Sequence, residues 1–269
     1  MKKNNFYLME NAEEIYRLEL KTDPEKVHRQ AQWCGIGPGQ KILDVGCGSG
    51  KTSSILFELS KPKGEVLGID FSKERVAYAR EHYADKEGLS FREYDLMGSL
   101  DDLGNYDLIW VRFFLEYFRQ ESFEIVKKLT EILKPGGSLC LIDLDNNCLN
   151  HYEIDQSVEY ILKKLMVILE EKCNFDPYVG RKLYSYLYDL GYKNIKVELQ
   201  GHHLIYGDIE DKDIFNWMKK IEMISEKAPD IYEDYPGGAK AYFNYINTFL
   251  RDTRRFTYTP LILCKGTKP

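Results

Sequence analysis

The chain has 269 residues, 43% hydrophobic and 30% charged, which suits one large packed domain or one domain with a substantial insertion. Its net charge of −6 is spread along the chain and argues against a DNA or RNA partner, which calls for a basic face. There is no apolar run of about 18 residues to span a membrane, and no apolar stretch follows the basic Met1-Lys2-Lys3-Asn4-Asn5 as in a signal peptide.

In chain order, residues 12–33 read as helix with a break near Pro24, followed by a turn at Ile36-Gly37-Pro38-Gly39-Gln40. Lys41-Ile42-Leu43-Asp44-Val45 is a short apolar run ending in glycines, as a buried strand does. A helix over 52–59 and a strand over 65–69 follow, the strand closed by Asp70. Ser72 is placed to cap a helix through Tyr83, with Arg75 at the position where a capping box has Glu. Strands are predicted over 89–94, 106–111 and 138–144, with a helix over 122–133 that stops at Lys134-Pro135-Gly136-Gly137. Strands alternating with helices at this spacing imply a parallel sheet with helices on both faces.

After Asp145 the rhythm changes. Residues 154–172 form one long amphipathic helix, with Val158, Ile161, Leu162, Leu165, Ile168 and Leu169 on one stripe. A helix over 181–190, a strand from Asn194, a helical stretch over 208–250 broken at Pro236-Gly237-Gly238, and a strand over 256–264 complete the chain. Most of the 20 tyrosines fall in this second half. The six cysteines (Cys34, Cys47, Cys140, Cys148, Cys173 and Cys264) include no Cys-x-x-Cys. No metal site is expected, and reduced thiols in the cytoplasm are.

The chemistry centres on Asp44-Val45-Gly46-Cys47-Gly48-Ser49-Gly50. Glycines at a strand end let the backbone turn sharply and approach a ligand, and the next helix aims its N–H groups at that ligand. A dinucleotide fingerprint wants a third glycine where this chain has Lys51, and Asp44 would sit beside a pyrophosphate. Ser49-Gly50-Lys51-Thr52 looks like the end of a phosphate-binding P-loop, with Leu139 to Asp143 as a second strand motif, but position 45 is Val where that motif has Gly. S-adenosylmethionine (SAM) is cationic at sulfur and carries no phosphate, so a carboxylate at the strand end is favourable. Asp70 then falls where a carboxylate accepts the ribose hydroxyls, Phe71 beside it can pack on adenine, and Asp95 can take the adenine amino group.

These pieces, with Gly68-Ile69-Asp70, Tyr94-Asp95-Leu96, Tyr106-Asp107-Leu108-Ile109 and Leu133-Lys134-Pro135-Gly136-Gly137, stand in the order of the class I SAM-dependent methyltransferases, which residues 35–145 closely resemble. Within that superfamily the chain resembles the small-molecule branch typified by the menaquinone and ubiquinone methyltransferases. Val111-Arg112-Phe113-Phe114-Leu115-Glu116-Tyr117 and Gly180-Arg181-Lys182-Leu183 add to that likeness. The resemblance implies a Rossmann-like, seven-stranded, mostly parallel sheet with a reversed edge strand, and S-adenosylhomocysteine (SAH) as product. It implies cofactor contacts from Asp44, Gly46, Cys47, Gly48, Ser49, Gly50, Asp70, Phe71, Asp95, Leu96 and an arginine, Arg112 or Arg17, on the SAM carboxylate. Residues 1–34 are then an N-terminal helical cap and 35–269 the methyltransferase domain, with helical lid segments near 146–180 and 207–252. Lys51 departs from the small or apolar residue common there and reads as a solvated helix lysine.

The acceptor is read less directly. The stretch after the fourth strand lacks the Asn/Asp-Pro-Pro-Tyr/Phe of many nucleic-acid and protein-glutamine N-methylases. A small molecule or peptide, methylated on a hydroxyl or carboxylate oxygen by positioning and in-line displacement, is the expectation. His151, His202, His203 and Tyr206 are candidate catalytic groups. Tyr152, Tyr178 and Tyr242 are candidate pocket walls, and Arg181, Arg251, Arg254 and Arg255 candidate holders of an anionic acceptor. A homodimer is compatible with the amphipathic helices. The alternatives are a P-loop-like NTPase and a SAM-binding regulatory protein without turnover.

Overall fold

The computed structural model describes residues 12–147, 149–226 and 228–269. The Met1–Asn5 segment, Cys148 and the part of the 1–34 cap before Ala12 lie outside the described residues. Helices α1 (Ala12–Lys21) and α2 (Pro24–Cys34) precede the sheet. The break between them has a local cause. Asp23 accepts the N–H groups of Glu25 and Lys26, and Pro24 occupies the first helical turn, where its missing N–H is harmless.

The strands are β1 (Lys41–Val45), β2 (Glu65–Asp70), β3 (Leu89–Glu93), β4 (Tyr106–Arg112), β5 (Leu133–Leu144), β6 (Asn150–His151), β7 (Lys193–Ile205) and β8 (Thr257–Thr267). They form one sheet in the order β3-β2-β1-β4-β5-β8, with β7 on the outer side of β8. The first five strands are parallel, and β8 is antiparallel to both β5 and β7. The reversed strand is therefore interior, not the edge strand expected. The two-residue β6 is an eighth strand beyond the seven expected; it pairs with Thr257 and Tyr258 along the edge of β8 that β5 occupies further on.

Alternation along the strands divides the core. Ile42, Val66, Leu108, Trp110, Cys140 and Ile142 face α2, α3 (Lys51–Ser60) and α4 (Lys73–Tyr83). Leu43, Val45, Ile109, Val111, Leu139 and Leu141 face α5 (Ser122–Glu131) and α7 (Leu183–Asp189). Helices thus cover both faces, as a parallel sheet requires.

A third apolar cluster belongs to the segments after β5. Val158, Ile161 and Leu165 of α6 (Gln156–Lys172) pack with Trp217 and Ile221 of α8 (Asp211–Glu226) and with Tyr242, Ile246 and Phe249 of α9 (Gly238–Arg251). Strands β5 and β7 end, and β8 begins, at the carboxyl edge of the parallel strands. The helices inserted there stand on the side of the sheet where the glycine loop lies. No helix among the described residues is long and apolar enough to cross a membrane.

Candidate functional site

The loop after β1 is held by the end of β2. Ile69 O accepts the N–H groups of Gly46 (2.8 Å) and Cys47 (2.9 Å), and the Asp70 carboxylate accepts Gly48 N–H (2.9 Å). Two glycines are sterically required. Gly46 has φ +71°, and a Cβ there would lie 2.6 Å from the Phe114 ring. Gly50, the cap of α3, has φ +89°, and a Cβ there would lie 2.7 Å from Ala79 Cβ. The loop therefore stands at the carboxyl ends of the strands, at the crossing point of the sheet where open α/β folds bind ligands.

Asp70 does more than point outward. It is nearly buried, accepts Ser72 N–H (2.9 Å), and forms an ion pair with Arg75 through Nε (3.0 Å) and Nη2 (2.9 Å). The side chain in the capping-box position thus turns to Asp70. The neighbouring Phe71 ring is 63% exposed at the tip of β2, an unusual position for a large apolar group. Leu96 is buried, Asp95 is exposed and accepts Met97 N–H (2.9 Å).

Asp44 is enclosed and accepts Ser53 Oγ–H at 2.6 Å. Burial pushes its carboxyl up to about 7, against the opposing pull of Ser53 and Arg112. Ser49 and Cys47 are buried in the same loop, and burial pushes the Cys47 thiol up.

Helix α1 lies over the loop. Leu18 Cδ1 would be 3.2 Å from a Cβ at Gly48, Tyr83 donates to Glu19 Oε2 (2.9 Å), and Lys51 Nζ donates to the carbonyl of Glu19 (2.7 Å). Lys51 is thus a tether to α1. It is not the solvated lysine expected, and its ammonium is turned away from the role a P-loop lysine has. Arg17, on the same helix, is buried. Arg112 donates to Gln30 Oε1 (2.9 Å) and stacks over the Phe113 ring at 4.1 Å, and burial lowers it to about 10.

The sequence reading missed a group of buried ionisable residues beside this loop. Asp143 Oδ2 accepts Phe114 N–H (3.2 Å) and Glu116 N–H (3.3 Å), while Oδ1 accepts Leu144 N–H (2.9 Å). It shapes the turn after β4. Glu116 Oε2 accepts Asn147 Nδ2–H at 3.1 Å. Burial, then mutual repulsion, pushes Asp143 well above the carboxylate range; burial also raises Glu116, opposed by Lys21. Lys21 is lowered to about 7 by burial and by Arg17, Lys220 and Arg112, against the pull of Glu116. A charge inside an apolar run, Leu141-Ile142-Asp143-Leu144, was the available signal for Asp143.

The acceptor candidates separate. His202 and His203 are inward, with ring centroids 4.0 Å apart, and His151 bonds Thr257 Oγ1 (2.9 Å) and lies edge-on to Trp217 (5.5 Å). Tyr206 instead is 65% exposed and stacks on Phe256, and Tyr152 is exposed. Tyr178 packs against the Arg181 guanidinium (4.9 Å). Tyr242, expected on a pocket wall, is fully buried among Tyr232, Tyr235 and Phe243 inside the insertion's own core. The expected anion holders are engaged locally: Arg181 with Asp145, Arg251 with Asp211 and Arg254 with Glu153. Arg255 is buried and donates to Gly207 O (2.9 Å) and Asp252 O (3.1 Å), clasping the two ends of the β7–β8 connection. Two surface clefts, one at the amino ends of the strands (Lys41, Glu65, Gly88) and one beside Ser99 and Lys128, lie away from this region.

A family model described as a methyltransferase domain matches residues 43–139. The demethylmenaquinone methyltransferase of Lactococcus lactis subsp. lactis (strain IL1403) is 28% identical over 133 residues, 49% of this chain and 52% of that protein. The chain thus spans about half the length of the curated relatives it matches. Among solved structures, a protein of Bacillus halodurans C-125 described as a methyltransferase superposes with TM-score 0.60 at 16% identity, over 91% of this chain and 99% of that one. Phosphoethanolamine N-methyltransferase 2 of Haemonchus contortus, solved with phosphomonomethylethanolamine and SAH, superposes with TM-score 0.57 at 16% identity, over 95% of this chain and 57% of that one. At such identities these structures speak to the fold. Residues 43–139 thus match a methyltransferase domain, and the sheet and helices of the chain share the fold of solved methyltransferases.

Proposed function

We propose that the protein transfers the methyl group of SAM to a small-molecule or peptide acceptor, at a hydroxyl or carboxylate oxygen, and releases SAH. The observation that carries this reading is the clasp between Asp70 and the Gly48 N–H at the carboxyl end of β1 and β2. It sets a carboxylate at the rim of the loop, beside the exposed Phe71 ring, which suits a ribose and an adenine. Asp44, enclosed at the end of β1, suits the amino end, and Arg17 or Arg112 suits the carboxylate. Asp95 and Leu96, at the end of β3, suit the adenine edge.

The bound cofactor supplies a methyl carbon already bonded to a cationic sulfur. The task left to the chain is alignment in a water-poor site. The acceptor oxygen forms the new O–C bond with its own electron pair, and the pair of the breaking C–S bond goes to sulfur. A carboxylate acceptor needs no base; a hydroxyl acceptor gives its proton to a neighbouring group, for which His202 and His203 are the candidates. The helical segments near 146–180 and 207–252 serve as a lid over the acceptor, with residues 1–34 as a cap. We further infer a cytoplasmic setting, which the free thiols of Cys34, Cys47, Cys140, Cys173 and Cys264 support.

Titration calorimetry with SAM, SAH and ATP tests the reading, followed by turnover on a panel of hydroxy and carboxylic acids. Binding of SAM and SAH with conversion of one acceptor is the expected result. Binding of ATP with magnesium and not SAM overturns it, and SAM binding with no turnover on any acceptor would move the protein to the regulatory alternative.

A further inference from the structure

A regular strand sends successive side chains to opposite faces, so His202 and His203 should not share a side. The pairing of β7 with β8 slips here: His202 stands opposite Thr259 and Ile205 opposite Thr257, one residue too many on β7. His203 takes φ +47°, in the left-handed region. This bulge brings the two imidazoles together, with His202 8% exposed.

The surroundings are aromatic and carry lysines, with the Glu116 carboxyl acting on Lys21. The Phe113 ring lies 5.0 Å from His202, and Lys21 Nζ sits 4.9 Å from the same Phe113 ring. The Trp217 ring lies 5.7 Å from His203, with Lys220 Nζ 5.7 Å from its centre. Three polar atoms here, His202 Nε2, His203 Nδ1 and Trp217 Nε1, are sealed from solvent and have no hydrogen-bond partner among the described residues. Buried polar atoms are almost always paired, so three together mark a missing partner. The indole nitrogen can only donate, and each neutral imidazole carries one N–H. The strongest charges on both imidazoles are cations, Lys21, Lys220 and Lys26 on each and Arg112 on His202. Burial and these cations hold both rings neutral.

Unpartnered buried nitrogens beside lysines and flat rings fit one chemistry. Resting on the methyltransferase reading above, we propose that this cluster between β7, Phe113 and α8 is the acceptor site, and that it selects a flat acceptor bearing an anionic oxygen group, carboxylate or phosphate, bonded by Trp217, the histidine pair and Lys21. The donors are enclosed, so the acceptor enters by displacement of the helical insertion that carries Trp217.

The test is an NMR titration of the five histidine side chains in the full chain, without and with saturating SAH, using sodium benzoate, phenyl phosphate and benzylammonium as probes. The expected result is saturable shifts of the His202 and His203 resonances with one or both anions and none with benzylammonium; which anion binds more tightly tells carboxylate from phosphate. Lys21→Gln and Trp217→Phe should each weaken the anion on the order of 10- to 100-fold, the loss of one charge-assisted or buried hydrogen bond. Benzylammonium binding in place of the anions, silent His202 and His203 resonances in the wild type, or unchanged anion affinity in both variants overturns the proposal. Titration without SAH keeps the outcomes distinct: failure to bind SAH strikes the methyltransferase reading, whereas the histidine shifts report on the cluster alone.

Discussion

Asp70 is the residue on which the cofactor reading can be tested most sharply, and the obvious variant would mislead. Its carboxylate accepts Gly48 N–H, Ser72 N–H and two N–H groups of Arg75, all between 2.9 and 3.0 Å. Both side chains of the ion pair are at least nine-tenths buried. Replacing Asp70 with Asn keeps the shape but removes the charge that balances Arg75. Breaking a buried pair from one side costs about 3–5 kcal/mol, so weakened binding in Asp70→Asn alone could reflect a loosened fold. The double variant Asp70→Asn/Arg75→Met removes both charges, and should regain most of that stability. It still lacks the carboxylate proposed for the ribose, whose loss should cost about 1.5–3 kcal/mol, or roughly 10- to 150-fold in affinity. Urea unfolding and SAH calorimetry on the wild type and both variants separate the two effects. A double variant with near wild-type stability and an SAH Kd within about twofold of wild type would refute the assignment of Asp70 to the ribose.

Three further outcomes are expected. Gly50→Ala places a Cβ 2.7 Å from Ala79 Cβ and 2.9 Å from Phe91 at a φ of +89°, and should lower unfolding free energy by about 2–4 kcal/mol in a thermal melt. Asp44 keeps its proton to about pH 7 when folded but only to roughly 3.9 when unfolded, so the folded state binds more protons in that window. Wild-type stability measured against Asp44→Asn should therefore fall by roughly 4 kcal/mol as pH rises from 4 to 7 and then level off, and a rise across that window would contradict the burial argument. Lys51→Ala and Tyr83→Phe each remove one bond to Glu19, so amide exchange in α1 should quicken about fivefold per variant while the sheet is unchanged; equal exchange in all three proteins would mean that α1 is held by other contacts.

The cofactor side of the fold was legible because its signals are local. Asp44 to Gly50 announce a strand, a sharp turn and a helix within a few residues, and the alternation of Ile42 with Leu43 and of Leu108 with Ile109 appears in the two opposed faces of the core. What the sequence hid was non-local. Lys51 meets the carbonyl of Glu19 32 residues earlier, and nothing in its own neighbourhood foretells that bond. Tyr242 looked like a wall because tyrosine is amphipathic, but the stripe it shares with Ile246 and Phe249 is the face that α9 buries against α6 and α8. The arginines near 251–255 read as free cations only while Glu153, Asp211 and Gly207 were far away along the chain. The convergence of Lys21, Phe113, His202 and Trp217 draws on four separate elements, and the bulge that turns His203 inward has no glycine to mark it.

The topology also dictates where specificity can grow. Because β8 runs against β5 and β7, the β7–β8 connection both leaves and re-enters the sheet at the carboxyl edge. Residues added there fall on the side of the sheet where the loop after β1 stands. Helices α3, α4 and α5 instead cross back along the faces of the sheet, where added length would thicken the core and leave the ligand untouched. The family match ends at residue 139, before β5 has finished. The matched part therefore contains Asp44, the glycines and Asp70, the groups suited to the methyl donor. His151, His202, His203, Trp217 and Lys220 all lie in the unmatched part. The family match accordingly bears on the residues proposed for the donor, and the proposal for the acceptor rests on residues outside it. That cluster sets indole and imidazole nitrogens without partners beside aromatic walls and Lys21, so an acceptor group that accepts hydrogen bonds would satisfy the buried donors that an apolar one would leave unpaired.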